Sequence, residues 1–113
     1  RLNFLEEFNT AYFVLTRNDL KRFKYKKGDT EGLVNYALSI KNVNFASIII
    51  EEKELIKFSF RSVGRFSVND FAKNHFNGGG HKNAAGGRLD ENLDVALSKF
   101  LKLVRENKQK LIY

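Results

Sequence analysis

The chain has 113 residues, 42% of them hydrophobic and eleven of them phenylalanine, enough apolar material for one buried core and too little length for two. Twenty Lys and Arg against thirteen Asp and Glu leave a formal charge of +7, which points to an anionic partner. The absence of cysteine excludes disulfides, zinc ribbons, iron–sulfur clusters and thiol nucleophiles, and no apolar run approaches the length of a membrane span.

Leu2, Phe4, Leu5 and Phe8 form a small apolar cluster at the N-terminus, where no secretory pattern is present. Leu2 and Leu5 stand at i, i+3, so residues 1–10 are expected to be the end of an interdomain linker, the tail of a helix arriving from upstream. Because the chain starts at Arg1 and contains no Met, it reads as a domain of a longer protein, soluble and cytoplasmic. Ala11 to Thr16 is aromatic and β-branched, which suits a buried strand, and Asn18 or Asp19 is placed to cap a short helix through Phe23. After the turn at Lys26 to Asp29, Thr30 is expected to cap a helix that gathers Leu33, Val34, Ala37 and Leu38 on one face.

Phe45 to Glu51 is apolar on nearly both faces, whereas Ile56, Phe58 and Phe60 alternate with Lys57, Ser59 and Arg61. Two strands joined by a charged turn at Glu52 and Lys53 are expected to form a hairpin. Ser67 and Asp70 have the spacing of a capping box for a helix with Val68, Phe71, Ala72 and His75 on one side, which Asn77 and three glycines then stop. His81 to Leu89 reads as a single helical turn leading into a short strand. Leu93, Ala96, Leu97, Phe100, Leu101 and Val104 define a long amphipathic helix, with acidic residues at its start and basic residues at its end. The alternation of strands and helices implies a single α/β domain with a mixed sheet of about four or five strands flanked by helices.

Autonomous catalysis finds little support in these residues. The two histidines, His75 and His81, have no acidic neighbour in a ligand-like motif, and no serine lies in a nucleophile elbow, so neither a metal site nor catalytic residues are assigned to this chain. The run Gly78-Gly79-Gly80-His81 is different, because three consecutive glycines carry an entropy cost that a plain connector does not require. Their N–H groups, joined by the N-terminus of a helical turn near His81, would suit a phosphate; the alternative is a flexible helix terminator. Arg61 is the second candidate, a guanidinium at the end of a strand that either binds phosphate or lines the solvent face. Lys21 to Lys27 packs five basic residues around Phe23 and Tyr25, a composition found on single-strand nucleic-acid surfaces, and equally that of a solvated helix end whose Phe23 turns into the core.

The string FNGGGHKNAAGG at 76–87, with FRS at 60–62 and GDTEGLVNYALSIKNV at 28–43, resembles the C-terminal DHHA1 domain of DHH-family phosphoesterases over nearly the whole chain, from about Ala11 onward. GDTEGLVN and GGGH together most resemble the oligoribonuclease and phosphoadenosine-phosphate phosphatase branch, the exopolyphosphatase-related proteins. The resemblance implies that residues 11–113 are the substrate-binding domain, that Arg61, Ser62, Gly79, Gly80 and His81 contact a nucleotide's terminal phosphate and neighbouring groups, and that no cofactor belongs to this domain. It further implies an N-terminal DHH domain carrying Mn²⁺, short single-stranded RNA or a phosphorylated nucleotide as substrate, and leaves a homodimer open. A non-catalytic nucleic-acid-binding module, related to the DHHA1-like domain of alanyl-tRNA synthetases, is the alternative.

Overall fold

The computed structural model describes residues 2–113. Six strands form one sheet in the order β1-β2-β3-β4-β6-β5: β1 (Leu2–Leu5), β2 (Thr10–Leu15), β3 (Phe45–Glu51), β4 (Ile56–Ser62), β5 (Gly79–His81) and β6 (Ala84–Leu89). Only β2 and β3 run parallel, joined by α1 (Arg17–Phe23) and α2 (Lys27–Ser39); every other pairing is antiparallel. The helices α3 (Val68–His75), α4 (Leu93–Glu106) and α5 (Lys108–Leu111) complete the chain.

Each face of the sheet has its own core. Ala11, Phe13, Leu15, Ala46, Ile48 and Ile50 pack with Val34 and Ala37 of α2. On the other face Phe45, Phe58 and Phe60 meet Phe71, Phe76 and Phe100 from the later helices. Ring centroids there are close, 4.5 Å for Phe58 and Phe76 and 5.3 Å for Phe60 and Phe71, and the crossings are mostly tilted or edge-on as ring quadrupoles prefer. Phe45, Phe58, Phe60, Phe76 and Phe100 are fully buried, which accounts for much of the phenylalanine-rich composition.

The expected strands 45–51 and 56–62 and the helix after Asn92 appear where their periodicities place them. Four local expectations are corrected. Residues 2–5 form an edge strand and not a helix tail: Leu2 packs with the α2-side core and Leu5 with the phenylalanine core, a separation onto opposite faces that a strand provides and a helix would not. Thr16, and not Asn18 or Asp19, caps α1; its Oγ1 accepts from the Asp19 N–H while the Asp19 carboxylate accepts from the Thr16 N–H, a reciprocal capping box. The helix expected from Thr30 begins at Lys27, because the Asp29 carboxylate accepts from the Lys26 N–H and draws the preceding turn into the helix. No helical turn follows the glycines, and the segment forms the β5–β6 hairpin, which raises the sheet to six strands.

That hairpin exists because its backbones come closer than a side chain allows. A Cβ on Gly78 would fall inside the Gly86 carbonyl oxygen, and one on Gly87 would lie 2.6 Å from the Cβ of Phe76. Gly32, in the middle of α2, meets nothing within 4 Å. Gly78→Ala is therefore expected to destabilise the protein by about 3 kcal/mol or more as an overpacked site, and Gly32→Ala to stabilise it by roughly 0.5–1 kcal/mol through helix propensity. Urea denaturation of the two variants checks both signs; a neutral Gly78→Ala would mean that the hairpin does not lie so close.

Candidate anion-binding face

The face of the sheet that carries α2 changes character halfway across. Beneath α1 and α2 it is apolar, with Ala46, Ile48 and Ile50 of β3 in the buried core. One strand further on, the register sets Arg61 opposite Ala46, Ser59 opposite Ile48 and Lys57 opposite Ile50. Beyond these come Ala84, Gly86 and Arg88 of β6, and then His81 and Gly79 of β5, opposite Ala84 and Gly86. Residues directly opposite one another in an antiparallel pair project to the same side, so Arg61, Ala84 and His81 form one row across three strands.

This half of the face is open. Lys57, His81 and Arg88 are exposed, Arg61 is half-buried, and among the described residues none gives the side chains of Lys57, His81 or Arg88 a hydrogen bond or ion pair. A cleft of about 500 Å³ lies over one part of it, lined by Glu52, Leu55, Lys57, Ser59, Gly79, Gly86 and Arg88, with Arg61 and His81 outside its lining. Strands spaced by roughly 4.8 Å put the backbones of Arg61 and His81 about 10 Å apart, with only the methyl group of Ala84 between them. The guanidinium is steadied by donating from Nη1 to the Phe60 carbonyl at 3.1 Å, which leaves most of its five donors unused. The floor thus offers small residues for close approach and four basic or imidazole groups around them.

Of the residues expected to act together, the structure brings Arg61, Gly79 and His81 to this region and separates the other two. Ser62 shares the side of Phe58 and Phe60: it is buried, its hydroxyl donates to the Phe66 carbonyl at 2.7 Å, and it accepts from Asn83 Nδ2 at 2.8 Å. The N–H of Gly80 donates to Asn69 Oδ1 at 2.9 Å and that of Gly78 to the Ala72 carbonyl at 3.2 Å. The glycine run therefore does not form the expected cradle of free N–H groups at a helix start; it lets two strands and a helix end close upon one another. Lys57 and Arg88 were not singled out in the sequence, although the alternation of Lys57, Ser59 and Arg61 with phenylalanines marks one side of the strand as polar. Arg88, following two glycines, carries no such periodicity.

The described residues contain no group of three or more His, Cys, Asp or Glu that could hold a metal ion. The described residues therefore do not offer the ligand set of a Mn²⁺ centre.

The fold has counterparts among known proteins. The DHHA1 domain family matches residues 9–108, and the chain belongs to that family. An exopolyphosphatase-related protein from Bacteroides fragilis is 41% identical and superimposes with a TM-score of 0.92, over 98% of this chain and 33% of that one. This chain thus spans about a third of that relative's length. A pGpG-specific phosphodiesterase, PggH, from Vibrio cholerae shares the fold at 16% identity and a TM-score of 0.61, covering 93% of this chain and 34% of that one. The C-Ala domain of Aquifex aeolicus alanyl-tRNA synthetase does so at 15% identity and a TM-score of 0.64, covering all of this chain and 99% of that one. Among curated proteins none matches. No helix among the described residues is long and apolar enough to cross a membrane.

Neighbours in sequence, Arg61 and Ser62 lie on opposite faces, and their replacement should separate accordingly. Ser62→Ala leaves the Phe66 carbonyl and the Asn83 amide short of a partner and is expected to cost about 1–3 kcal/mol of stability, while the affinity of the folded protein for phosphate-bearing ligands stays at the wild-type value. Denaturation paired with ligand titration reads the two effects independently.

Proposed function

We propose that this chain is the substrate-holding domain of a phosphoesterase acting on short single-stranded RNA or phosphorylated nucleotides, and that its open sheet face anchors a phosphate. The observation that carries the reading is the Arg61–Ala84–His81 row, two hydrogen-bonding side chains flanking a small residue on an uncovered, positively charged face. In this reading Arg61 holds the phosphate through a pair of charge-assisted hydrogen bonds, and His81 donates from the opposite side. Lys57 and Arg88 raise the local positive potential, and Ala84 and Gly86 let the ligand lie close to the sheet. The 41% identity to an exopolyphosphatase-related protein supports the phosphoesterase assignment.

The chemistry belongs to another part of the parent protein in this proposal, an N-terminal DHH domain holding Mn²⁺. The work of the residues here is positional. Fixing a terminal phosphate at Arg61 sets how far along the ligand the next ester bond lies, so that only ligands of the right length present that bond for cleavage. The chain alone is expected to bind and not to hydrolyse.

Calorimetric titration with a 5′-phosphorylated dinucleotide and its unphosphorylated counterpart tests the anchor. Arg61→Ala should lose roughly 1.5–3 kcal/mol, the range for a hydrogen bond to a charged group, and His81→Ala should weaken binding as well. Affinity should fall as salt rises. Wild-type affinity in both variants, or no preference for the phosphorylated ligand, would sink the phosphate anchor. Preference for folded tRNA over short ligands would favour the binding-module reading that the C-Ala likeness offers.

A further inference from the structure

One cluster lies outside this row. Between α1 and α2 the chain reads Lys21-Arg22-Phe23-Lys24-Tyr25-Lys26-Lys27, and the structure does not turn Phe23 into the core: the ring is 58% exposed. The cause is local. Lys24, the residue that ends α1, adopts a left-handed conformation with φ of 53°, and this kink sends the aromatic groups on either side of it in different directions. Tyr25 packs against the α2-side core, while Phe23 stands on the edge of Tyr25, with centroids 6.1 Å apart. The Arg22 guanidinium lies 5.3 Å from the centre of the Phe23 ring.

Positive charge is in excess along this stretch: residues 17–31 hold six Lys or Arg against Asp19, Asp29 and Glu31. Asp19 accepts from the Thr16 N–H and also feels the Arg22 charge, and Asp29 accepts from the Lys26 N–H. Lys21, Arg22, Lys24 and Lys26 are exposed. An exposed aromatic ring among lysine and arginine has the composition of a base-stacking platform on a backbone-tracking surface.

Topology joins the platform to the open face. The last residue of β2, Leu15, pairs with Ile50, Ile50 with Lys57, and Lys57 with Arg88, so α1 begins at the end of the sheet where Lys57 and Arg88 lie. Leu20 and Tyr25 pack on the same side of the sheet that farther along carries Lys57, Ser59 and Arg61. We propose that the α1–α2 junction is a second contact for a single-stranded nucleic acid, in which Phe23 stacks on a base and Lys21, Arg22, Lys24 and Lys26 follow its phosphates. The proposal deepens the preceding reading of the open face, and it makes the ligand a strand of several nucleotides rather than a mononucleotide.

The test uses this chain, whose fold stands alone as a domain of equal length in the synthetase structure. Fluorescence anisotropy is measured with 5′-phosphorylated single-stranded oligonucleotides from one to about eight nucleotides, a span that brackets small single-strand sites. Phe23→Ala is expected to weaken the longer ligands by roughly 5- to 100-fold, as for loss of one stacked base, and to leave the mononucleotide unchanged. Phe23→Trp is expected to keep the affinity; since the chain has no other tryptophan, its fluorescence should be quenched when a long strand binds. Thermal melts confirm that both variants are folded.

The failures are distinguishable. If Arg61→Ala weakens every length and Phe23→Ala none, the junction is not a contact and the phosphate anchor stands. If Phe23→Ala weakens the long strands and Arg61→Ala weakens nothing, the strand contact stands and the phosphate anchor falls. Equal binding of a duplex of the same sequence, or Phe23-dependent binding to vesicles of anionic lipid with no effect on oligonucleotides, would overturn the assignment to a single strand.

Discussion

The position of every group on the open face is set by how closely the β5–β6 hairpin lies against the end of α3. Phe76 is the fixed point. Its ring is buried among Phe58, Phe60 and Phe71, its backbone carbonyl accepts from the Arg88 N–H at 2.7 Å, and its Cβ occupies the space above Gly87. The aromatic core thereby fixes β6, and β6 fixes β5. Arg88 and His81 hold their places on one surface because phenylalanines hold the other.

The same sheet shows how two helices can leave half a face free without instability. Under α2 the strands β2 and β3 present isoleucine and alanine to it, and β4, which α2 also reaches, presents lysine, serine and arginine on that side. Burial on the second face is complete enough to hold β4 and β6 through the phenylalanines alone. Exposing their first face therefore costs little apolar area, and that face can carry charge. Period-two geometry makes this division sharp: Arg61 belongs to one surface and Ser62 to the other, although the two are adjacent in the chain.

Most of this was legible in the sequence wherever apolar residues recur with a clear period. β3, β4 and α4 were of this kind, and the alternation in β4 already separated Lys57, Ser59 and Arg61 from the core. β5 was not, because Gly79 and Gly80 have no side chain to report a face, and its pairing depends on contacts with Gly86 and Ala85 that no local pattern encodes. The start of α2 was hidden for a different reason: the Asp29 carboxylate that organises its first turn reaches back to Lys26, so the signal ran upstream of the residue that resembled a cap. Ser62 stands next to Arg61 in the family motif, and the motif does not tell on which face each of the two lies. Geometry gives it a structural task, joining the Phe66 carbonyl to the Asn83 turn.

The order of the strands has a kinetic side. Pairings β1–β2, β3–β4 and β5–β6 join segments adjacent along the chain, and β4–β6 closes across α3 and β5. The parallel β2–β3 pair has to wait for both α1 and α2 to be spanned, and the ties of Asn9 and Asn44 to the Leu111 carbonyl span most of the chain. Loop-closure entropy delays such long-range contacts relative to short ones. The open face, drawn wholly from residues 56–89, lies within a stretch of short-range contacts, so amide hydrogens along β4 and β6 can stay protected while the C-terminus, held by long-range ties, frays and re-forms.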